Sequence, residues 1–274
     1  MEDKLCASDI ISRLPKGCLC KKAVCFDILD STNIKAKQLA EQGEEEGLLI
    51  VAQEQSAGRG RRGRRWSSEA ATGIYMTLLL RPKLLPQNVS GLTLLAALAL
   101  TDAIREVCGI ETQIKWPNDV VIAKKKICGI LTEMSSEENV IHYVILGIGI
   151  NANATAFPKE IEDMATSIYL HTGKRVNRCE LIAGVVQRFC EYYERFCKEQ
   201  DLTSFVEAYN SVLANRDKEV KVYYGMVESA VTEEIDLGVA RGIDREGALL
   251  IEIDGTIKRI VSGEVSVRGL YGYV

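Results

Sequence analysis

At Asn215-Arg216-Asp217-Lys218 the rhythm of the chain changes, and no other feature limits the possible architectures as much. Downstream, Glu219 to Tyr224, Thr232 to Ile235, Val239 to Ile243, Ala248 to Ile253, Thr256 to Val261 and Val265 to Val267 are short β-branched runs separated by Gly and Asp. Such runs are too short for stable helices. With Asp244-Arg245-Glu246-Gly247 and the Asp254-Gly255 pair as turns, they predict a small all-β unit. A boundary near Asp217 divides the 274 residues into a larger unit, 1–217, and a smaller one, 218–274.

The larger unit mixes two periods. Gly47 to Gln55, Gly73 to Leu80, Lys126 to Glu133 and Val140 to Asn151 read as strands, from alternation and β-branching. Ser31 or Thr32 is placed to cap a helix running to about Gly43, and Val89 to Val107 carries apolar residues at helical spacing before Gly109. From Ile161 to Leu213 the pattern is helical, and Leu181, Val185, Phe189, Tyr192 and Phe196 fall on one face, which predicts core. The expected class is α+β, a mixed β-sheet backed by helices with a small β unit after it.

Lys and Arg total 34 against 38 acidic residues, a net charge of −4, so nothing global attracts nucleic acid or anionic membrane. Any anion site must be local. The most apolar stretch, Leu92 to Leu100, is far shorter than the roughly 20 residues of a membrane span, so no membrane role is expected. Met1-Glu2-Asp3-Lys4-Leu5-Cys6 lacks the pattern of a signal peptide, and the expected compartment is the cytoplasm. Nine cysteines without a C-x-x-C pair suit reduced thiols, and the Cys18, Cys20, Cys25 group suits packing better than zinc. With His142 and His171 the only histidines, a histidine-rich metal site is excluded; metal ligands are not legible.

The sharpest local feature follows the Gly47–Gln55 strand. Gly58-Arg59-Gly60-Arg61-Arg62-Gly63-Arg64-Arg65-Trp66 holds five arginines and three glycines in nine residues. Glycines let backbone approach a ligand and adopt positive φ, and guanidinium forks fit phosphate or carboxylate oxygens. An exposed basic loop that binds RNA is the competing reading, which the acidic remainder of the chain disfavours. Gly58, Gly60 and Gly63 also spell G-x-G-x-x-G, but no amphipathic helix follows and the next strand ends at Leu80-Arg81-Pro82 without the acidic residue a ribose needs. A Rossmann site is rejected, and a P-loop sequence is absent.

Lys115-Trp116-Pro117-Asn118-Asp119 is the second constellation: Pro117 stiffens a strand end, which presents Lys115 at a fixed place as a point charge for a carboxylate or α-phosphate. Asn118 and Asp119 would stand near a metal or close a turn. In Gly147-Ile148-Gly149-Ile150-Asn151 alternate glycines leave one strand face bare, which makes room for a flat ligand or another backbone.

In this order, Asp30-Ser31-Thr32-Asn33, Gln55 to Arg64, Lys115 to Asp119, Lys126-Ile127-Cys128-Gly129-Ile130-Leu131, Gly147 to Asn151 and Ser262-Gly263-Glu264-Val265-Ser266-Val267-Arg268 resemble the motifs of the biotin protein ligases of the holocarboxylase synthetase type. The resemblance implies the catalytic fold shared with class II aminoacyl-tRNA synthetases and a C-terminal SH3-like β-barrel. It implies that Ser31, Thr32 and Asn33 meet the biotin head group, and that Gln55, Gly58, Arg59, Gly60, Arg61, Lys115, Gly129, Gly147 and Gly149 complete the biotin site, the two strand glycines flooring the valeryl tail. Arg59, Arg61, Arg64, Trp66, Lys115, Asn118, Asn151 and Arg268 would hold ATP or the adenylate, with Lys115 and Arg61 the catalytic pair. ATP would come with Mg²⁺, and the acceptor would be a biotin carboxyl carrier domain of a carboxylase. Only 30 residues precede Ser31, so the winged-helix domain of the repressor members, and with it DNA binding, is not expected; a monomer or homodimer is. Lipoate ligases share the catalytic fold and remain the alternative within it.

Overall fold

The computed structural model describes residues 4–224, 235–262, 265–269 and 273–274. In chain order its elements are α1 (Ala7–Arg13), β1 (Lys22–Leu29), α2 (Thr32–Glu41), β2 (Leu48–Gln55), β3 (Ile74–Leu80), α3 (Ser90–Cys108), β4 (Gln113–Lys115), β5 (Asp119–Ile122), β6 (Lys125–Glu137), β7 (Val140–Ile150), α4 (Ile168–Thr172), α5 (Arg178–Glu199) and α6 (Val206–Ser211). The strands β8 (Lys218–Tyr224), β9 (Ile235–Ile243), β10 (Leu249–Ile253), β11 (Thr256–Ile260) and β12 (Val265–Gly269) complete the described chain.

The first seven strands form one mixed sheet in the order β1-β2-β3-β7-β6-β5-β4, in which only the β1–β2 pair is parallel. Alternation along β2 and β3 sorts side chains to two faces. Leu49, Val51, Met76 and Leu78 point into the main core with α3 and α5, while Leu48, Ile50 and Leu79 join Ala36 and Ala40 of α2 in a smaller cluster. Helices therefore back both faces. Helix α3 is buried over most of its circumference and ends where Gly109 adopts φ 68°, the left-handed stop expected there. Leu181, Val185, Phe189 and Phe196 of α5 are buried, as their spacing predicts, whereas Tyr192 is only half-buried and donates its hydroxyl to Asp102.

Helix α1 and strands β1 and β5 are additions to the elements expected from pattern, and β4 is the short strand expected to end at Lys115. Ser31 occupies the N-cap of α2 but makes no side-chain capping bond, so the expected cap is geometric only. None of the helices among the described residues is long and apolar enough to cross a membrane.

From Lys218 onward the described strands pair into a separate five-stranded antiparallel sheet, β11-β10-β9-β8-β12. Most of the Thr232–Ile235 strand expected from sequence lies outside the described residues, as do Gly263 and Glu264. The small sheet is tied to the larger unit by Trp116 Nε1 donating to the Gly247 carbonyl (3.0 Å), Leu202 N to Arg245 O (2.8 Å), and Ile243 N to Asn210 Oδ1 (2.8 Å). The Trp116–Pro117 peptide is cis.

Candidate active site

A cleft of about 1360 Å³ opens where the end of the large sheet meets the small one. It exceeds the roughly 300–1,000 Å³ of a usual single-ligand pocket and has room for two ligands side by side. Three segments singled out in the sequence wall it: Gly60 to Ser67, Lys115 to Asp119, and Val267 to Gly269.

The glycine-arginine loop closes on itself. Gly60 N donates to Arg64 O (2.7 Å), Trp66 N to Gly58 O (2.9 Å), and Arg59 bridges Arg65 across the loop. Gly63 has φ 72°, and Arg62 stands in the left-handed region at φ 57°. A β-carbon on Gly58 would lie 2.4 Å from Trp66 O, so that glycine admits the loop's own returning backbone. Arg61 Nη1 donates to Asn118 Oδ1 at 2.9 Å, which joins the loop to the Lys-Trp-Pro-Asn-Asp turn. Burial lowers the Arg61 pKa, and neighbouring Arg62 adds to the effect. Arg59 forms an exposed ion pair with Glu133 at 3.7 Å.

Lys115 ends β4 and is only 8% exposed. Burial, opposed by Asp119 and reinforced by Lys126, Arg268 and Arg64, lowers its pKa to about 8. Asp119 is occupied elsewhere, with Lys126 Nζ 2.5 Å from one oxygen and the Tyr273 hydroxyl donating to the other. Arg268 stacks over the Tyr223 ring at 5.2 Å. Asn151 borders the cleft, but its amide nitrogen donates to Thr166 O (3.1 Å) and thereby holds the loop beside it. A cleft dominated by cations and sparing in free carboxylates suits a polyanion.

Behind the cleft lies a compact polar cluster. Thr32 donates from N (2.9 Å) and Oγ1 (3.1 Å) to Gln55 Oε1, and Gln55 Nε2 donates to Ser68 Oγ (2.9 Å). Thr77 Oγ1 is 2.8 Å from both Thr32 Oγ1 and Asn33 Oδ1, and Asn33 Nδ2 donates to Glu133 Oε2 (2.7 Å). Ser31, Thr32 and Asn33 are buried. Gln55 spends both ends of its amide as a brace, so it positions Thr32 instead of presenting a free group.

The strand glycines are not bare, contrary to expectation. A β-carbon on Gly147 would stand 2.1 Å from Asn33 Oδ1, and one on Gly149 or Gly129 would stand 2.6 or 2.8 Å from the Trp66 indole. Because these glycines carry no side chain, Asn33 and Trp66 settle onto the strands, and Trp66 also lines the cleft. The predicted residues thus divide. Gly60, Arg61, Arg64, Trp66, Lys115, Asn118, Asn151 and Arg268 line the cleft, while Ser31, Thr32, Asn33, Gln55, Gly58, Arg59, Gly129, Gly147 and Gly149 lie outside its lining.

Trp66 Nε1 is buried without a hydrogen-bond partner, an arrangement that costs about 1–3 kcal/mol and favours displacement of the ring. Trp66 and Trp116 are the only tryptophans. In a Trp116→Phe variant, a ligand that enters the polar cluster is expected to shift Trp66 emission, because the indole must leave the glycines. Unchanged emission at saturating ligand, with binding verified by calorimetry, would show that Trp66 stays in place.

Thr77, Ser68, Glu133 and Tyr273 complete the site and were not singled out from sequence, whereas Lys126, which opens the Lys126–Leu131 motif, reaches it as the partner of Asp119. Thr77 and Glu133 are ordinary strand residues by pattern, and only the pairing of β3 and β6 with β7 carries them to Asn33. Among the described residues no three His, Cys, Asp or Glu side chains gather as a metal cage. The residues present fit a Mg²⁺ that arrives on a triphosphate and keeps phosphate and water ligands, as that ion commonly does.

Comparison with known proteins agrees with this geometry. Residues 25–151 match the Biotin/lipoate A/B protein ligase family, and residues 227–268 match the Biotin protein ligase C terminal domain. The chain is 37% identical to the bifunctional ligase/repressor BirA of Bacillus subtilis, over 96% of this chain and 79% of that protein. It is 34% identical to the biotin--[acetyl-CoA-carboxylase] ligase of Paracoccus denitrificans, over 88% of this chain and 98% of the other. The structure of biotin protein ligase from Aquifex aeolicus in complex with biotin and ATP superposes with a TM-score of 0.78 at 34% identity, covering 91% of this chain and 99% of that one. A shared fold over nearly the full length and identity above 30% to full-length ligases mean that this chain belongs to the biotin protein ligases.

Proposed function

We infer that this protein joins biotin to ATP, forming biotinyl-5′-AMP and pyrophosphate, and then passes biotin to a lysine of a biotin carboxyl carrier domain. The observation that carries this is the convergence of Lys115, Arg61, Arg64 and Arg268 on one cleft beside a buried cluster of hydroxyl and amide groups. Residues 1–217 would be the catalytic unit and 218–274 the smaller one that supplies Arg268.

In the first step the biotin carboxylate attacks the α-phosphorus of ATP as the bond to the β-phosphate breaks. Two anions must meet, so the reaction is opposed by charge until cations neutralise their oxygens. Lys115 supplies a fixed ammonium, and the arginines of the loop supply forked donors to carboxylate and phosphate. Held in line, the reactants need no protein nucleophile. Mg²⁺ would supply further charge neutralisation at the phosphates. In the second step the carrier's amine attacks the mixed anhydride and AMP departs.

Thr32, Asn33 and Thr77 suit the polar ureido ring of biotin, whereas the dithiolane of lipoate has neither N–H nor C=O to meet them. All nine cysteines are free thiols, which supports a reducing compartment such as the cytoplasm. Pyrophosphate release with ATP plus biotin, and then with lipoate, tests the reading. Turnover with biotin is expected, turnover with lipoate alone would favour the alternative, and salt-sensitive RNA binding with no turnover would replace both.

A further inference from the structure

We propose that Tyr273 is a positioning residue for Lys115, its ring forming the base on which the ammonium rests. The proposal rests on Lys115 serving the adenylation step. Lys115 Nζ lies 3.3 Å from the centroid of the Tyr273 ring, well within cation–π range. The same side chain donates its hydroxyl to Asp119, whose other oxygen is held by Lys126. Both oxygens of the nearest carboxylate are therefore engaged, and among the described residues Lys115 makes no ion pair with it.

The consequence is chemical. A carboxylate partner would hold Lys115 by its N–H donors and would have to be displaced by substrate. A ring face stabilises the charge without accepting a conventional hydrogen bond, so the N–H groups turned away from it stay available to carboxylate and phosphate oxygens. Burial lowers the pKa of Lys115, and an aromatic face favours the charged form that burial opposes.

The placement also has a cause. A β-carbon on Gly269 would stand 2.4 Å from the Val274 carbonyl carbon, so the missing side chain lets the end of the chain fold back against β12 and brings Tyr273 to the cleft. Tyr273 lies beyond residue 268, where the C-terminal domain match stops. The small unit thus reaches the reaction through a residue that no motif marks.

The test compares pyrophosphate release by the full-length wild type, Tyr273→Phe, Tyr273→Leu and Lys115→Ala with biotin and Mg-ATP. Tyr273→Leu is expected to lower kcat by about tenfold to thirtyfold, as loss of a desolvated cation–π contact implies, while KM for each substrate stays within about threefold. Tyr273→Phe keeps the ring and is expected to retain at least about half the wild-type rate. Melting temperatures are read alongside, and Tyr273→Met provides the same comparison if the leucine variant melts below the assay temperature. A wild-type or raised kcat in the non-aromatic variants, or an equal loss in Tyr273→Phe, would overturn the proposal. Normal turnover by Lys115→Ala would overturn the role of Lys115 as well, whereas an inactive Lys115→Ala beside a fully active Tyr273→Leu would remove only the role of Tyr273.

Discussion

Lys115→Ala is expected to reduce biotinyl-adenylate formation by about 10²–10³ while the protein stays folded. That is the usual size of the loss when one preorganised charge-stabilising donor is removed. The fold should tolerate the change because Lys115 leaves no carboxylate stranded: Asp119 keeps Lys126 and Tyr273. Deleting a buried ammonium also removes its desolvation cost. The measurement is pyrophosphate release beside a thermal melt, and near-normal release by a folded variant would rule out the assigned role. The wild type should carry a matching pH signature. With its pKa lowered to about 8, free-enzyme Lys115 is charged below that pH and neutral above it. kcat/KM for adenylation should therefore fall as pH rises through about 8, and kcat should fall at higher pH, because bound anions favour the ammonium. A kcat/KM flat to about pH 10 would show that an ordinary or uninvolved lysine is present.

Arg61→Gly is expected to separate making the intermediate from keeping it. Arg61 Nη1 bonds Asn118 Oδ1 and so ties the loop to the turn beside Lys115, both lining one cleft. Glycine removes both the latch and a forked donor for the adenylate. The loss of one charge-assisted contact of ~1.5–3 kcal/mol shortens the residence of biotinyl-5′-AMP by roughly tenfold to a hundredfold. Adenylation continues with Lys115 in place, and escaping anhydride should then label lysines without selection. The readout is the ratio of biotin on an unrelated bystander protein to biotin on a carrier domain. An unchanged ratio with adenylation still measurable would show that Arg61 does not retain the intermediate.

How much of this was legible in the chain depends on how local the information was. Helices α2, α3 and α5 repeat their apolar residues near 3.6, and strands β2, β3, β6 and β7 are β-branched, alternating or continuous apolar runs long enough to be read directly. Strand β4 is three residues long, and β1 lies at the sheet edge with most of its side chains partly exposed, so neither shows an alternation. Their places come from pairing with β5 and β2, contacts that no window of sequence contains.

The site divides the same way. The sequence by itself determined which chemistry was present: a loop dense in guanidinium groups, a lysine beside a proline-stiffened turn, hydroxyl and amide groups before a helix, and glycines at alternate strand positions. Each is a property of a few adjacent residues, and covalent geometry keeps them together wherever the chain goes. Only the tertiary structure decided what these groups face. It brought Glu133 to Asn33 across 100 positions and Tyr273 to Asp119 across 154. It also laid Trp66 on Gly129 and Gly149, where the bare spacing of the strand glycines predicts an open floor. The reason is that a glycine specifies a missing side chain but not the occupant of the space, and a charged residue specifies a field but not its partner. Both are settled by which distant strands pair and which surfaces the core, once buried, leaves in contact.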